Sequence, residues 1–164
     1  MSRPYKNLES DAKSRHLLGK KTALDTALHF LKFRPRSIFE VEKKLREKKY
    51  PQSEINKVIN FLKAKGFLND LEFARSWIRN RNLLKPEGKK LLFLELRKLG
   101  IEKEIAEQAL QEEDMPDIEK ARIIFEKKRR AFQNLTKEEF KEKMIGYLFR
   151  RGFSWETIRE IMKI

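Results

Sequence analysis

The sequence predicts an all-α protein, three tandem three-helix repeat modules forming an elongated, curved array, and three observations carry that expectation. One helix pattern is written three times: Leu24-x-x-Ala27-x-x-Phe30-Leu31-x-x-Arg34, Leu71-x-x-Ala74-x-x-Trp77-Ile78-x-x-Arg81 and Ile118-x-x-Ala121-x-x-Ile124-Phe125-x-x-Lys128. The alanines stand 47 residues apart, an interval of helical arrays with two or three helices per unit. Composition is the third: 40% hydrophobic and 39% charged residues supply thin cores between amphipathic helices, not one deep core. Positions i, i+3, i+6 and i+7 share a helix face, so each copy offers a short apolar stripe with a small residue where a neighbour can approach.

Residues 1–20 carry Arg3, Pro4, Asn7, Ser10, Ser14 and Gly19 among scattered charges, show no sustained apolar period, and read as a flexible basic arm. Module 1 covers 21–66. Its first helix ends near Arg34-Pro35, because a residue before proline avoids helical geometry. Ser37 and Glu40 form a capping box for a second helix through Val41 and Leu45, which Tyr50-Pro51 breaks. Ile55, Val58, Ile59 and Leu62 define a third helix that stops at Gly66, where a left-handed cap is cheapest.

Module 2 covers 67–114. Asn69 is its N-cap, with Glu72 three residues on; Leu92, Leu96 and Leu99 mark the middle helix, Gly100 its end, and Ile101, Ile105, Ala109 and Leu110 the third helix. Glu112-Glu113-Asp114-Met115-Pro116 then interrupts, and this acidic break marks the third module as the one expected to swing. Module 3 covers 115–164. Asp117 is a candidate N-cap; Thr136 and Glu139 box the middle helix of Phe140, Met144 and Leu148, which ends at Gly152; Ser154 caps a last helix with Ile158, Ile161 and Met162. Leu45, Leu96 and Leu148 follow their alanines by 18, 22 and 27 residues, which predicts that the first connection of each module is a tolerant surface loop.

Several chemistries are excluded. Cysteine is absent, and the two histidines, His16 and His29, have no metal-binding spacing. No phosphate loop, dinucleotide fingerprint or nucleophile elbow occurs, and the six glycines are mostly helix terminators. Acid pairs such as Glu112-Glu113 and Glu138-Glu139 fall in charge-dense helix starts and linkers, where exposure should leave their acidity ordinary. No catalytic residue, metal or cofactor is expected. The start has no apolar core of a signal peptide, and the longest apolar run, Leu91-Leu92-Phe93-Leu94, is far short of the ~20 residues of a membrane span. A soluble cytoplasmic monomer with no membrane partner is expected.

The net charge of +14 favours a polyanionic partner, the alternative being a lysine-rich solvated surface without specific use. Candidate contacts are Arg36, Lys43, Lys44 and Arg46 in module 1, and Arg75, Arg79, Arg81, Lys89, Lys90 and Arg97 in module 2. Module 3 adds Lys127, Lys128, Arg129, Arg130, Arg150 and Arg151. Lined along one side, they would follow a phosphate backbone or an acidic protein groove. The repeated bases Arg34, Arg81 and Lys128 have a competing explanation, since a cation near a helix C-terminus gains ~0.3–1 kcal/mol from the macrodipole. Trp77, Phe73, Phe30 and Phe125 share the apolar stripe, so core packing is favoured over base stacking, with ~3–5 kcal/mol expected for Trp77→Ala. Phe153 and Trp155 read as the hydrophobic staple of the last helix, or else as a partner contact.

At Gly66-Phe67-Leu68-Asn69-Asp70-Leu71-Glu72-Phe73-Ala74, followed by Trp77 and Arg81, the chain resembles the RecX family of bacterial recombination regulators. The likeness continues through Arg34-x-Arg36-Ser37-x-x-Glu40-Val41, Gly88, Leu96-x-x-x-Gly100-Ile101 and Leu148-x-x-Arg151-Gly152-Phe153-Ser154, covering about Leu24 to Ile164. The resemblance implies three tandem three-helix modules and a non-catalytic modulator of RecA, the recombinase that polymerises on single-stranded DNA. Such a protein binds the RecA nucleoprotein filament and restrains its extension, ATP hydrolysis, strand exchange and the co-protease activity behind the SOS response. The family's motif residues look mostly structural and supply no contact set, so the candidate contacts rest on charge. The competing readings are a sequence-nonselective helical protein that binds single- or double-stranded DNA independently of RecA, and a helical adaptor for another acidic protein. No helix displays the Asn, Gln and Arg mixture that usually reads base edges.

Overall fold

The computed structural model describes residues 21–164, which form nine α-helices and no strand. The expected N-terminal arm, residues 1–20, lies outside the described residues. Module 1 holds α1 (Ala23–Phe33), α2 (Ile38–Glu47) and α3 (Gln52–Ala64). Module 2 holds α4 (Asp70–Leu84), α5 (Lys89–Lys98) and α6 (Lys103–Gln111). Module 3 holds α7 (Asp117–Ala131), α8 (Lys137–Arg150) and α9 (Trp155–Met162).

Side chains cap five of these nine helices, four of them as the sequence predicts. Ser37 and Glu40, and Thr136 and Glu139, make reciprocal capping boxes, and Asn69 Oδ1 accepts from Glu72 N at 3.1 Å. Thr22 and Asp25 form a further box at α1 that the sequence reading did not single out. Asp117 is not a cap. Pro116 holds that position, and Asp117 Oδ2 instead accepts from Lys89 N, the first residue of α5, at 3.1 Å. Asp70, 47 residues earlier, accepts from Ile38 N, the first residue of α2, at 2.9 Å. One aspartate therefore satisfies an orphan N–H at the start of the preceding middle helix at both joints.

Helix ends repeat as closely. The amides of Tyr50, Phe67, Ile101 and Phe153 each reach back to the carbonyl of a buried leucine: Leu45, Leu62, Leu96 and Leu148. This 6→1 bond needs a left-handed residue just before it. Gly66 (φ +74°), Gly100 (φ +80°) and Gly152 (φ +79°) supply three, while Lys49, at φ 61°, occupies the fourth.

The drift of 18, 22 and 27 residues arises in the helices, apart from one residue in the last connection. The connections span only 34–37, 85–88 and 132–136; α4 and α7 have 15 residues against 11 in α1, and α8 has 14 against 10 in α2 and α5. Each step inserts about one helical turn, which preserves the buried face.

Two compact units divide the chain, one ending at Phe73 and the other spanning Ala74–Ile164. In the first, α1 packs on α2 and α3 around Ala23, Ala27, Leu31, Val41, Leu45, Ile55 and Leu62. The second buries Ala74, Ile78, Leu92, Leu96 and Ile101 in module 2, and Ala121, Ile124, Met144, Leu148, Phe153 and Ile158 in module 3. The repeated alanines are fully buried, so the small-residue reading of the pattern holds. Phe153 and Ile158 form the staple of α9, whereas Trp155 stands 49% exposed. Trp77 is only half buried, which lowers the expected cost of its removal below the range for a core aromatic.

Candidate polyanion-binding surface

Each repeated base reaches an interhelical partner within its own module. Arg81 makes a two-pronged pair with Glu95 on α5 (2.8 and 2.9 Å), its guanidinium lies 4.9 Å from the Trp77 ring, and Trp77 Nε1 donates to the same carboxylate at 2.9 Å. Lys128 Nζ sits 4.8 Å from the Tyr147 ring on α8. Glu95 and Tyr147 both immediately precede the buried leucine of the middle helix, so the latch keeps its register. In module 1 that register position is Lys44, and Arg34 turns to Glu40 instead. An interhelical latch explains these bases better than the macrodipole alone, because the partners are side chains on a neighbouring helix.

Other candidates are likewise committed to intramolecular partners. Arg36 is nearly covered, stacks 3.9 Å above the Phe30 ring and pairs with Glu40 at 3.4 Å. Burial first and the neighbouring Arg34 second lower its pKa, with Glu40 opposing. Arg46 pairs with Glu42 at 3.4 Å, and Arg97 donates to the Ile101 carbonyl at 2.6 Å. Arg75 binds Glu112 at 2.6 Å, and this bond, followed by one from Gln108, holds the Glu112 carboxyl below its ordinary range. Glu139 is also held low, by the Thr136 backbone and hydroxyl. The expectation of ordinary acidity at these acids is therefore corrected: exposure does not prevent a well-placed donor from stabilising the anion.

Arg151 joins modules 2 and 3. It donates to Glu87 Oε1 at 3.1 Å, to the Pro86 carbonyl at 3.4 Å and to the Tyr147 hydroxyl at 3.1 Å, while its own carbonyl accepts from Gly88 N at 2.8 Å. Burial pushes the Tyr147 phenol up, but bonds from Arg151 and the charges of Arg151, Lys128 and Lys85 outweigh it and leave the group below its usual value. Beside this joint Lys120 is wholly buried against Glu113, with Asp117 Oδ1 and the Glu87 carbonyl each at 3.3 Å. The sequence reading missed Lys120. Its signal was present, since Lys120 occupies the repeat position of the buried Phe73.

These contacts correct the reading of 112–116 as a hinge. Glu112 is held by Arg75, Glu113 by Lys120 and Asn82, and Asp117 by Lys120 and Lys89 N, all inside one compact unit. Acidic residues in series look like a solvated linker until their cations are found on other helices.

Most of the candidate cations carry no ion pair among the described residues. Lys43, Arg79, Lys89, Lys90, Lys127, Arg129, Arg130 and Arg150 are exposed; Lys44 is half buried beside Phe30. On α7, Ile123, Lys127 and Arg130 share one outward face. Such a surface can neutralise phosphates or carboxylates.

Family models for the first, second and third three-helix domains of RecX match residues 23–62, 69–110 and 116–162. The Regulatory protein RecX of Prosthecochloris aestuarii is 35% identical over 141 residues, 85% of this chain and 91% of that protein. The chain belongs to the RecX family. The RecX protein of Geobacillus kaustophilus is 32% identical over 87% of this chain, which spans about half (53%) of that longer relative. The crystal structure of RecX from Lactobacillus salivarius superposes with a TM-score of 0.77 at 29% identity, covering 94% of this chain and 96% of that one. The relatives are named regulatory proteins, and the fold is three tandem RecX three-helix domains. Among the described residues no helix is long and apolar enough to cross a membrane.

Proposed function

We propose that this chain is a non-catalytic, cytoplasmic modulator of RecA that binds the RecA–single-stranded DNA filament. In doing so it restrains filament extension, ATP hydrolysis, strand exchange and co-protease activity. The reading rests on membership of the RecX family across three consecutive domains. The basic balance supports it, because a surface with 39 lysines and arginines against 25 acids suits a filament of protein and phosphate. Within that reading the unpaired cations, Lys43, Lys89, Lys90, Lys127, Arg129, Arg130 and Arg150 among them, are the stronger contact candidates. Arg36, Arg81 and Arg151 serve mainly to hold helices together. Each module contributes modest contacts whose sum depends on simultaneous engagement.

The test is RecA ATP hydrolysis on single-stranded DNA with this protein added below stoichiometric amounts. Turnover should fall, and salt should relieve the inhibition. Unchanged turnover defeats the reading.

A further inference from the structure

Module 1 carries a surface that none of the candidate contacts includes. Outside the buried stripe of Ile55, Val58, Ile59 and Leu62, α3 exposes Lys57 and Phe61, with Lys65 at its C-cap, on one flank and Asn56, Asn60 and Lys63 towards the other. The helix has one carboxylate, Glu54, which is half buried and accepts from Ala23 N at 3.4 Å. Three positive charges and no negative one therefore face outward. The third helices of the other modules provide an internal comparison: α6 with its C-cap exposes Glu104, Glu107 and Glu112 beside Lys103, and α9 with its C-cap exposes Glu156 and Glu160 beside Arg159 and Lys163. A generally lysine-rich surface would not clear acids from one of three equivalent helices.

The aromatic ring narrows the partner further. Phe61 is 37% exposed between Lys57, one turn before it, and Lys65, one turn after, whose Nζ lies 5.9 Å from the ring centroid. An exposed ring flanked by cations suits an unstacked base with its adjoining phosphates, an arrangement a continuous duplex cannot offer without opening. Asn56 and Asn60 add amides able to bond phosphate or base edges, while the lack of arginine on this face predicts weak sequence preference.

We propose that α3 of the first module is a direct binding surface for single-stranded nucleic acid, with phosphates at Lys57 and Lys65 and a base against Phe61. The interaction requires no recombinase, so it stands or falls separately from RecA inhibition.

The test is fluorescence anisotropy of a labelled oligothymidylate with the full chain, without RecA, across a salt series. Lys57→Ala/Lys65→Ala should weaken binding and flatten the log–log salt slope by about 1.4, at about 0.7 per phosphate contact. Phe61→Leu keeps an apolar side chain against the helix but removes the ring; it should weaken binding about tenfold with the slope unchanged. Lys103→Ala on α6 should bind like the parent, and circular dichroism checks that each variant is folded. Parent-like affinity in the α3 variants overturns the proposal, as does tighter binding of a duplex of equal length.

Discussion

Replacing Lys120 by methionine isolates one charge, because the unbranched stem and its packing are kept while the ammonium is lost. Lys120 is fully buried, and its main partner, Glu113, has a side chain only 2% exposed. One Glu113 oxygen lacks a hydrogen-bond partner among the described residues, and without Lys120 the carboxylate retains only the amide of Asn82 at 2.6 Å. Asp117 suffers less, since it is 19% exposed and keeps the Lys89 N–H. Two unit charges about 3 Å apart attract by roughly 5 kcal/mol at an effective dielectric near 20. Leaving one partner of such a buried pair behind costs about 3–5 kcal/mol. Urea unfolding followed by tryptophan fluorescence reads the right region, because the two tryptophans, Trp77 and Trp155, both lie within Ala74–Ile164. With a urea dependence of about 2 kcal/mol per molar, the midpoint should fall by about 2 M. Lys120→Met combined with Glu113→Gln, which keeps an acceptor for Asn82 but removes the stranded charge, should recover most of that loss. A single-variant shift below about 0.5 M, or a double variant no closer to the parent than the single one, would refute the argument.

Three further outcomes are expected. Gly88→Ala places a Cβ 2.3 Å from the Gly152 carbonyl oxygen, a backbone atom that cannot turn aside, and should destabilise the chain by about 3 kcal/mol in thermal or urea melts. Lys49→Gly relieves a left-handed residue where the sibling modules use glycine, and should stabilise by about 1 kcal/mol in the same measurements. Glu112, Glu139 and Glu156 have depressed carboxyl pKa values in the fold, caused by Arg75, by the Thr136 backbone, and by the Glu156 backbone with Ser154, respectively. Their stabilisation is therefore present above the unfolded value of about 4.3 and is lost as pH falls through the folded values. The urea midpoint should drop between pH 5 and pH 3, and Arg75→Ala should flatten that dependence.

The joint shows where local signals end. Gly88 and Gly152 were visible as glycines, and Gly152 was readable as a helix end, yet nothing near either one announced that their backbones touch. Asp117 met every local rule for an N-cap but bonds a helix start 28 residues earlier. Arg81 and Arg151 looked like contact residues because a cation near a helix end advertises charge, while the acids that occupy them stand 14 and 64 residues away. Local reading succeeded where the relevant partner sits within one turn, as in the Ser37–Glu40 and Thr136–Glu139 boxes.

From its sequence alone this protein's helices, their order and their threefold repetition are determined, because periodicity, caps and left-handed stops act over three or four residues. The family was legible too, since those signals recur in a fixed order along the chain. Tertiary structure decided which cations remain available to a partner. Net charge counts lysines and arginines equally, but a guanidinium bound to a carboxylate on another helix is already neutralised, and only folding brings the two together.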